Sequence, residues 1–167
     1  YASKSLRISI DSYISFLNNP NLKNATEMSI ASNLAGKAIS ISKTTAPHAI
    51  SYPFTSLFNI SHGHAVGLFF ENFFKFNFDN INKSETSFDL KKRFELIFNI
   101  FDVENINNFN SKISLIKEQA KLEDNLKKLN INVEKSSEKI IKGINLLRLG
   151  NNPVKINERD IFNIISK

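Results

Sequence analysis

The chain carries three histidines, His48, His62 and His64, and all fall within residues 43–66. Neutral imidazole is the commonest side-chain ligand for iron, zinc, nickel and copper, and it exchanges protons near neutral pH. Acting together in either chemistry requires the rings to meet, so the fold of KTTAPHAISYPFTSLFNISHGHAV decides what they can do. Thr44 and Thr45 ahead of Pro47 read as a helix start, a hydroxyl that can cap followed by a proline where no N–H is missed. His48 then lies in the opening turns. Pro53 is too deep to belong to the start and predicts a kink or break near it. Residues 59–61 read as a short turn, with Ser61 as N-cap of a second helix beginning at His62. The two histidines thus stand on consecutive helices, and a tight return would join their rings. Each is near a helix N-terminus, where the dipole disfavours the protonated ring. By spacing alone, two such histidines are more commonly hydrogen-bonded structural residues than ligands. His64, two residues beyond His62, points to a different helix face.

The surrounding sequence must position this stretch, and its periodicity is helical throughout. In residues 5–17, Leu6, Ile10, Tyr13, Ile14 and Leu17 share one face, and Asn18-Asn19-Pro20-Asn21 ends the helix. Residues 24–40 follow, capped by Asn24 or Thr26. Met28, Ala31, Leu34, Ala35, Ala38 and Ile39 form the buried stripe, and the small residues let another backbone come close. Residues 65–78 carry so many phenylalanines that they read as one central core helix. Residues 79–87 read as a loop, 88–102 as an amphipathic helix and 103–110 as an Asn-rich connection. Helices are then expected over 112–122, 124–129 and 133–147, the last with Ile140, Ile141, Ile144 and Leu147 inward. Residues 150–153 stop it, and Asn157 caps a final helix over 158–166. The expectation is one all-α domain over residues 1–167, a bundle of roughly eight or nine helices.

Composition narrows the function. With no cysteine, neither a disulfide nor a cysteine metal site is available. No apolar run reaches the length of a membrane span, and no signal peptide is visible, so a cytoplasmic setting is the default expectation. The first residue is Tyr1, which suggests a fragment or a missing natural start. The net charge is +6, but lysines and acids are interleaved without runs of like charge, which argues against nucleic acid as a partner. Five scattered glycines form no phosphate-binding loop, and no G-x-S-x-G elbow is present.

Residues 43–70 resemble the signature of the iron-dependent (group III) alcohol dehydrogenases, in the helical domain that follows their nucleotide-binding domain. His48 in PHAISYP and His62 in SHGHAVG match the two histidines that bind the family's catalytic divalent metal, with Ser61 where the family usually has Pro. Arg148 to Val154 resembles an R-x-x-N-N-P-like segment. Residues 121–131 resemble a short helix before a turn, with Asn130 in place of the usual Gly. Residues 4–15 resemble the helix that supplies the other two ligands, an Asp and a His, and these fall on Lys4 and Ile8, neither of which can donate a lone pair. The resemblance implies the metal-binding half of a two-domain oxidoreductase, in which Fe2+ or Zn2+ polarises an oxygen while hydride passes to or from NAD(P). It implies metal ligation by His48 and His62, an incomplete site, a cleft-lining role for His64, and no cofactor site in this chain. The nucleotide-binding domain would lie elsewhere or on another chain, leaving this half inactive alone and leaving room for a homo-oligomer. A degenerate, non-catalytic binding module and a fragment of a dehydroquinate synthase-like enzyme are the alternatives.

Overall fold

The computed structural model describes residues 1–166, and every regular element among them is helical apart from a lone antiparallel bridge between Ser84 and Val154. The all-α expectation holds. Among the described residues there are ten α-helices and a short 3-10 turn over Ile81–Lys83. The chain forms two compact units, Tyr1–Lys43 with Lys92–Leu122, and Thr44–Lys91 with Glu123–Lys167.

In the first unit, α1 (Ala2–Asn18) and α2 (Leu22–Ser42) form an antiparallel hairpin. Of the expected buried stripe Ala31 alone is fully buried, with the buried Ser5 hydroxyl donating to its carbonyl at 2.7 Å, and Ile39, expected inward, is 42% exposed. Ser12 donates to Glu27 Oε2 at 2.7 Å. The cap of α2 is Asn21, three residues ahead of the expected Asn24, because the two asparagines close a reciprocal capping box. The same unit holds most of α6 (Leu90–Phe101) and α7 (Ile106–Gln119). Helix α7 starts well before the predicted position. The Asn-rich run read as a connection supplies its cap, with Asn105 accepting from the Asn107 and Asn108 N–H groups. Phe109, in the segment expected to be a connection, is buried with its ring edge-on to Phe101 at 4.8 Å.

The second unit comprises α3 (Ala46–Phe58), α4 (His62–Leu68), α5 (Phe70–Asp79), α8 (Val133–Lys142), α9 (Leu146–Leu149) and α10 (Glu158–Ile165). Its core is large and apolar, with Ile50, Phe54, Phe73 and Ile140 fully buried and Ile161 and Ile165 nearly so. Two predicted long helices are each broken. Residues 65–78 divide at Phe69, which leaves helical geometry (φ −119, ψ 7) with its ring edge-on to Phe54 at 4.7 Å. Residues 133–147 divide around Gly143, where a β-carbon would lie 2.8 Å from the Pro53 side chain. Beyond that break Leu147, expected inward, is 90% exposed. Residues 124–129 form turns instead of a helix, and Asn130 takes the left-handed conformation (φ 58) that explains why a glycine would also suit that position.

Candidate metal and substrate site

Helix α3 runs through Pro53 to Phe58 unbroken, and Asn59 ends it in the left-handed region (φ 54). Ile60 is buried in the turn, and Ser61 stands at the N-cap position of α4 without a side-chain capping bond. This corner brings the first two histidines together as the sequence predicts. His48 Nδ1 lies 3.2 Å from His62 Nε2, with ring centroids 5.2 Å apart.

Ser51 fixes the direction of the hydrogen bonds. Its hydroxyl donates to the His48 carbonyl at 2.7 Å, because a carbonyl can only accept. Its oxygen is then left to accept from His62 Nδ1–H at 3.1 Å. In the neutral pair, His62 Nε2 therefore carries a lone pair and takes the His48 Nδ1–H, leaving the second lone pair on His48 Nε2. Burial, then His62, then the Arg148 guanidinium, hold the His48 pKa below the usual imidazole value. The neutral form is thus the favoured one, which leaves His48 Nε2 with a lone pair for a metal or for an arriving hydrogen-bond donor.

Beside the pair, the Tyr52 ring contacts His62, with centroids 5.5 Å apart, and the Arg148 guanidinium lies over that same ring at 5.6 Å. Arg148 Nη1 donates to Thr44 Oγ1. Neither threonine makes the expected cap: Thr45 holds the N-cap position without a side-chain bond, and the Thr44 hydroxyl accepts from Arg148. Asn152 Oδ1 accepts from the Ala46 N–H at 3.4 Å instead, and Asn151 Nδ2 donates to the Thr44 carbonyl at 3.1 Å. Asn152 is itself held by paired amide bonds with Asn77. The Asn-Asn-Pro segment therefore anchors the start of α3. Pro53 adds a further tie. It cannot donate to the Ala49 carbonyl four residues earlier, and the Asn145 N–H reaches that carbonyl at 3.4 Å. Sequence reasoning singled out neither Ser51 nor Tyr52 nor Arg148 as site residues. For Ser51 the signal was its position one helical turn after His48.

His64 is directed elsewhere. Its Nε2–H donates to the Glu123 carbonyl at 2.6 Å, leaving Nδ1 as the acceptor of the neutral ring. Lys4 is exposed and Ile8 half-buried in α1, and neither side chain offers a lone pair. Among the described residues no third His, Cys, Asp or Glu gathers with His48 and His62. Protein metal sites that hold zinc or iron firmly use three or four protein ligands. Two imidazoles do not meet that need, so the residues present do not fit a resident metal held by this chain alone.

Comparison with known proteins gives a consistent picture. The description "Fe-containing alcohol dehydrogenase family, C-terminal" matches residues 1–167. A phosphonoacetaldehyde reductase of Streptomyces viridochromogenes is 38% identical over 47 residues, which are 28% of this chain and 12% of that protein. The sulfoacetaldehyde reductase of Bifidobacterium kashiwanohense, solved with NAD+, superposes with a TM-score of 0.82 at 24% identity, covering 98% of this chain and 41% of that one. An archaeal halo-thermophilic alcohol dehydrogenase from a Red Sea brine pool superposes with a TM-score of 0.86 at 19% identity, covering 98% and 42%. The chain thus spans well under half the length of these solved relatives. No helix among the described residues is long and apolar enough to cross a membrane.

Proposed function

This chain belongs to the iron-containing alcohol dehydrogenase family, as its C-terminal part, and from that membership we propose that it is the substrate-facing helical portion of an NAD(P)-dependent oxidoreductase of aldehydes and alcohols. The observation that carries the reading is the His48–His62 contact, with Ser51 setting which nitrogens bear protons. In this reading an aldehyde oxygen lies against the imidazole pair. A reduced nicotinamide held outside these residues would supply the hydride to the carbonyl carbon, and the carbonyl oxygen would gain a proton, giving the alcohol. The outward nitrogen, His48 Nε2, carries a lone pair in the neutral pair, so it donates to the aldehyde oxygen only once the pair has taken up a proton, and that proton is the one the oxygen gains. His48 and His62 are also the two donors this chain offers to a divalent metal. His64 is tethered through Nε2 to the Glu123 carbonyl, away from the His48–His62 contact.

The nicotinamide needs a binding fold that the glycine pattern of these residues does not supply, so a nucleotide-binding part outside them, or on a partner chain, completes the enzyme. The names of the two reductase relatives favour the reducing direction. A second reading, a non-catalytic binding module, is favoured by Lys4 and Ile8, which stand where the resemblance calls for ligands.

The test is NADH and NADPH oxidation with short aldehydes, in the protein joined to its nucleotide-binding part. His48→Asn and His62→Asn should each lower kcat/KM by about 100-fold or more. Wild-type rates in both variants would remove the imidazole pair from the reaction, and an unsubstituted protein that oxidises neither cofactor with any aldehyde would favour the non-catalytic reading.

A further inference from the structure

Arg148 is a permanent cation in an unusual setting. It is half-buried, one of its N–H groups is taken by the buried Thr44 hydroxyl, and among the described residues no carboxylate pairs with it. A guanidinium has five N–H donors in a planar fork that suits carboxylate, sulfonate and phosphonate oxygens two at a time. A partly desolvated charge without a counterion is costly, and an arriving anion offsets that cost. The residue is also held in place. The Asn145 side chain accepts from its backbone N–H at 3.1 Å, Asn151 ties the neighbouring turn to Thr44 at 3.1 Å, and Tyr52 supports the planar face at 5.6 Å. The same Tyr52 ring touches His62, so the cation and the imidazole pair belong to one continuous surface.

We propose that Arg148 binds the anionic tail of a short-chain aldehyde whose carbonyl oxygen lies against His48 and His62, and so selects substrates bearing a carboxylate, sulfonate or phosphonate over neutral ones of the same length. This rests on the oxidoreductase reading above and adds the substrate class to it. The shared chemistry, an oxyanion on a guanidinium, would also suit a cofactor phosphate, and the experiment separates the two.

Two measurements decide it. In the first, 2-hydroxyethanesulfonate is titrated into the full chain and followed by the imidazole and guanidinium NMR signals, with ethylene glycol as the neutral control. The sulfonate alone should shift the His48, His62 and Arg148 signals saturably. Arg148→Gln should weaken binding at least about tenfold, Arg148→Lys should restore part of it, and Thr44→Val, which keeps the cation, should retain it. Absence of sulfonate binding, equal binding in Arg148→Gln, or equal loss in Thr44→Val would overturn the proposal. In the second, the protein joined to its nucleotide-binding part is assayed with sulfoacetaldehyde and propanal. Arg148→Gln should lower kcat/KM about 100-fold for the first and under about threefold for the second, with the KM for reduced cofactor unchanged. A rise confined to the cofactor KM would assign Arg148 to the cofactor phosphate and sink the substrate claim. Sulfonate binding through Arg148 in a protein that reduces neither aldehyde would overturn the oxidoreductase reading while the anion site stands.

Discussion

Two corners of this chain are built to the same plan and put to different use. Helices α1 and α2 are joined by three residues, Asn19, Pro20 and Asn21, and α3 and α4 by three, Asn59, Ile60 and Ser61. The first corner spends its polar groups on its own backbone. Asn21 and Asn24 cap each other's amides, Asn24 Nδ2 donates to the Asn19 carbonyl, and the Ser5 hydroxyl crosses to α2. The second corner makes no side-chain cap, turns through a left-handed asparagine and buries an isoleucine. Its polar side chains, Ser51, His48 and His62, bond to one another or to backbone across the corner. Resemblance places two metal ligands on each side of this comparison. By that resemblance the first helix pair has Lys4 and Ile8 at those positions, neither with a lone pair to give, while the second has His48 and His62 in contact, with Ser51 beside them. The first corner satisfies its own polar groups, whereas the second leaves the His48 Nε2 lone pair without a partner in the pair itself.

Substitutions that separate the two corners sharpen this contrast. The largest effect is expected behind the second one. Gly143→Ala places a methyl 2.8 Å from the Pro53 side chain and should destabilise the protein by about 1–3 kcal/mol in urea unfolding. The matching change in α2, Gly36→Ala, meets nothing within 4 Å and should stabilise by about 0.5–1 kcal/mol. Equal effects at the two glycines would break the comparison. Next, Asn21→Ala removes a working cap and should cost about 1 kcal/mol, whereas Ser61→Ala removes none and should stay within about 0.5 kcal/mol. The smallest effect is a pH dependence belonging to the second corner alone. The His48 pKa lies below its ordinary value of 6.5, first through burial and then through His62 and Arg148. As pH falls, the unfolded chain binds that proton first, so the His48 contribution is complete above about 6.5 and is lost as pH drops through the folded-state pKa. Melting temperature should therefore slope downward in mild acid, and His48→Asn should reduce the slope.

Much of this was legible in the sequence because helical periodicity and capping residues are local signals. The ends of α1, the proline at the start of α3 and the Asn157 cap of α10 all follow from neighbours within a turn. The breaks at Phe69 and Gly143 were not, because each is imposed by a residue distant in sequence, the ring of Phe54 and the side chain of Pro53. The start of α7 was missed for another reason: asparagine reads as loop by composition, yet it is also a strong N-cap. At the site, the approach of His48 to His62 could be foreseen from two helix starts and a short return. Arg148 could not, since it lies some hundred positions away from Thr44, and only tertiary structure reveals that pairing.

The proline inside α3 has a mechanical consequence. By leaving the Ala49 carbonyl without its helical donor, Pro53 creates a hitching point, and the Asn145 N–H takes it. The segment carrying Arg148 is thereby fastened to the backbone one residue beyond His48. The cation and the first imidazole therefore share one backbone tie, three residues from Arg148 and one from His48.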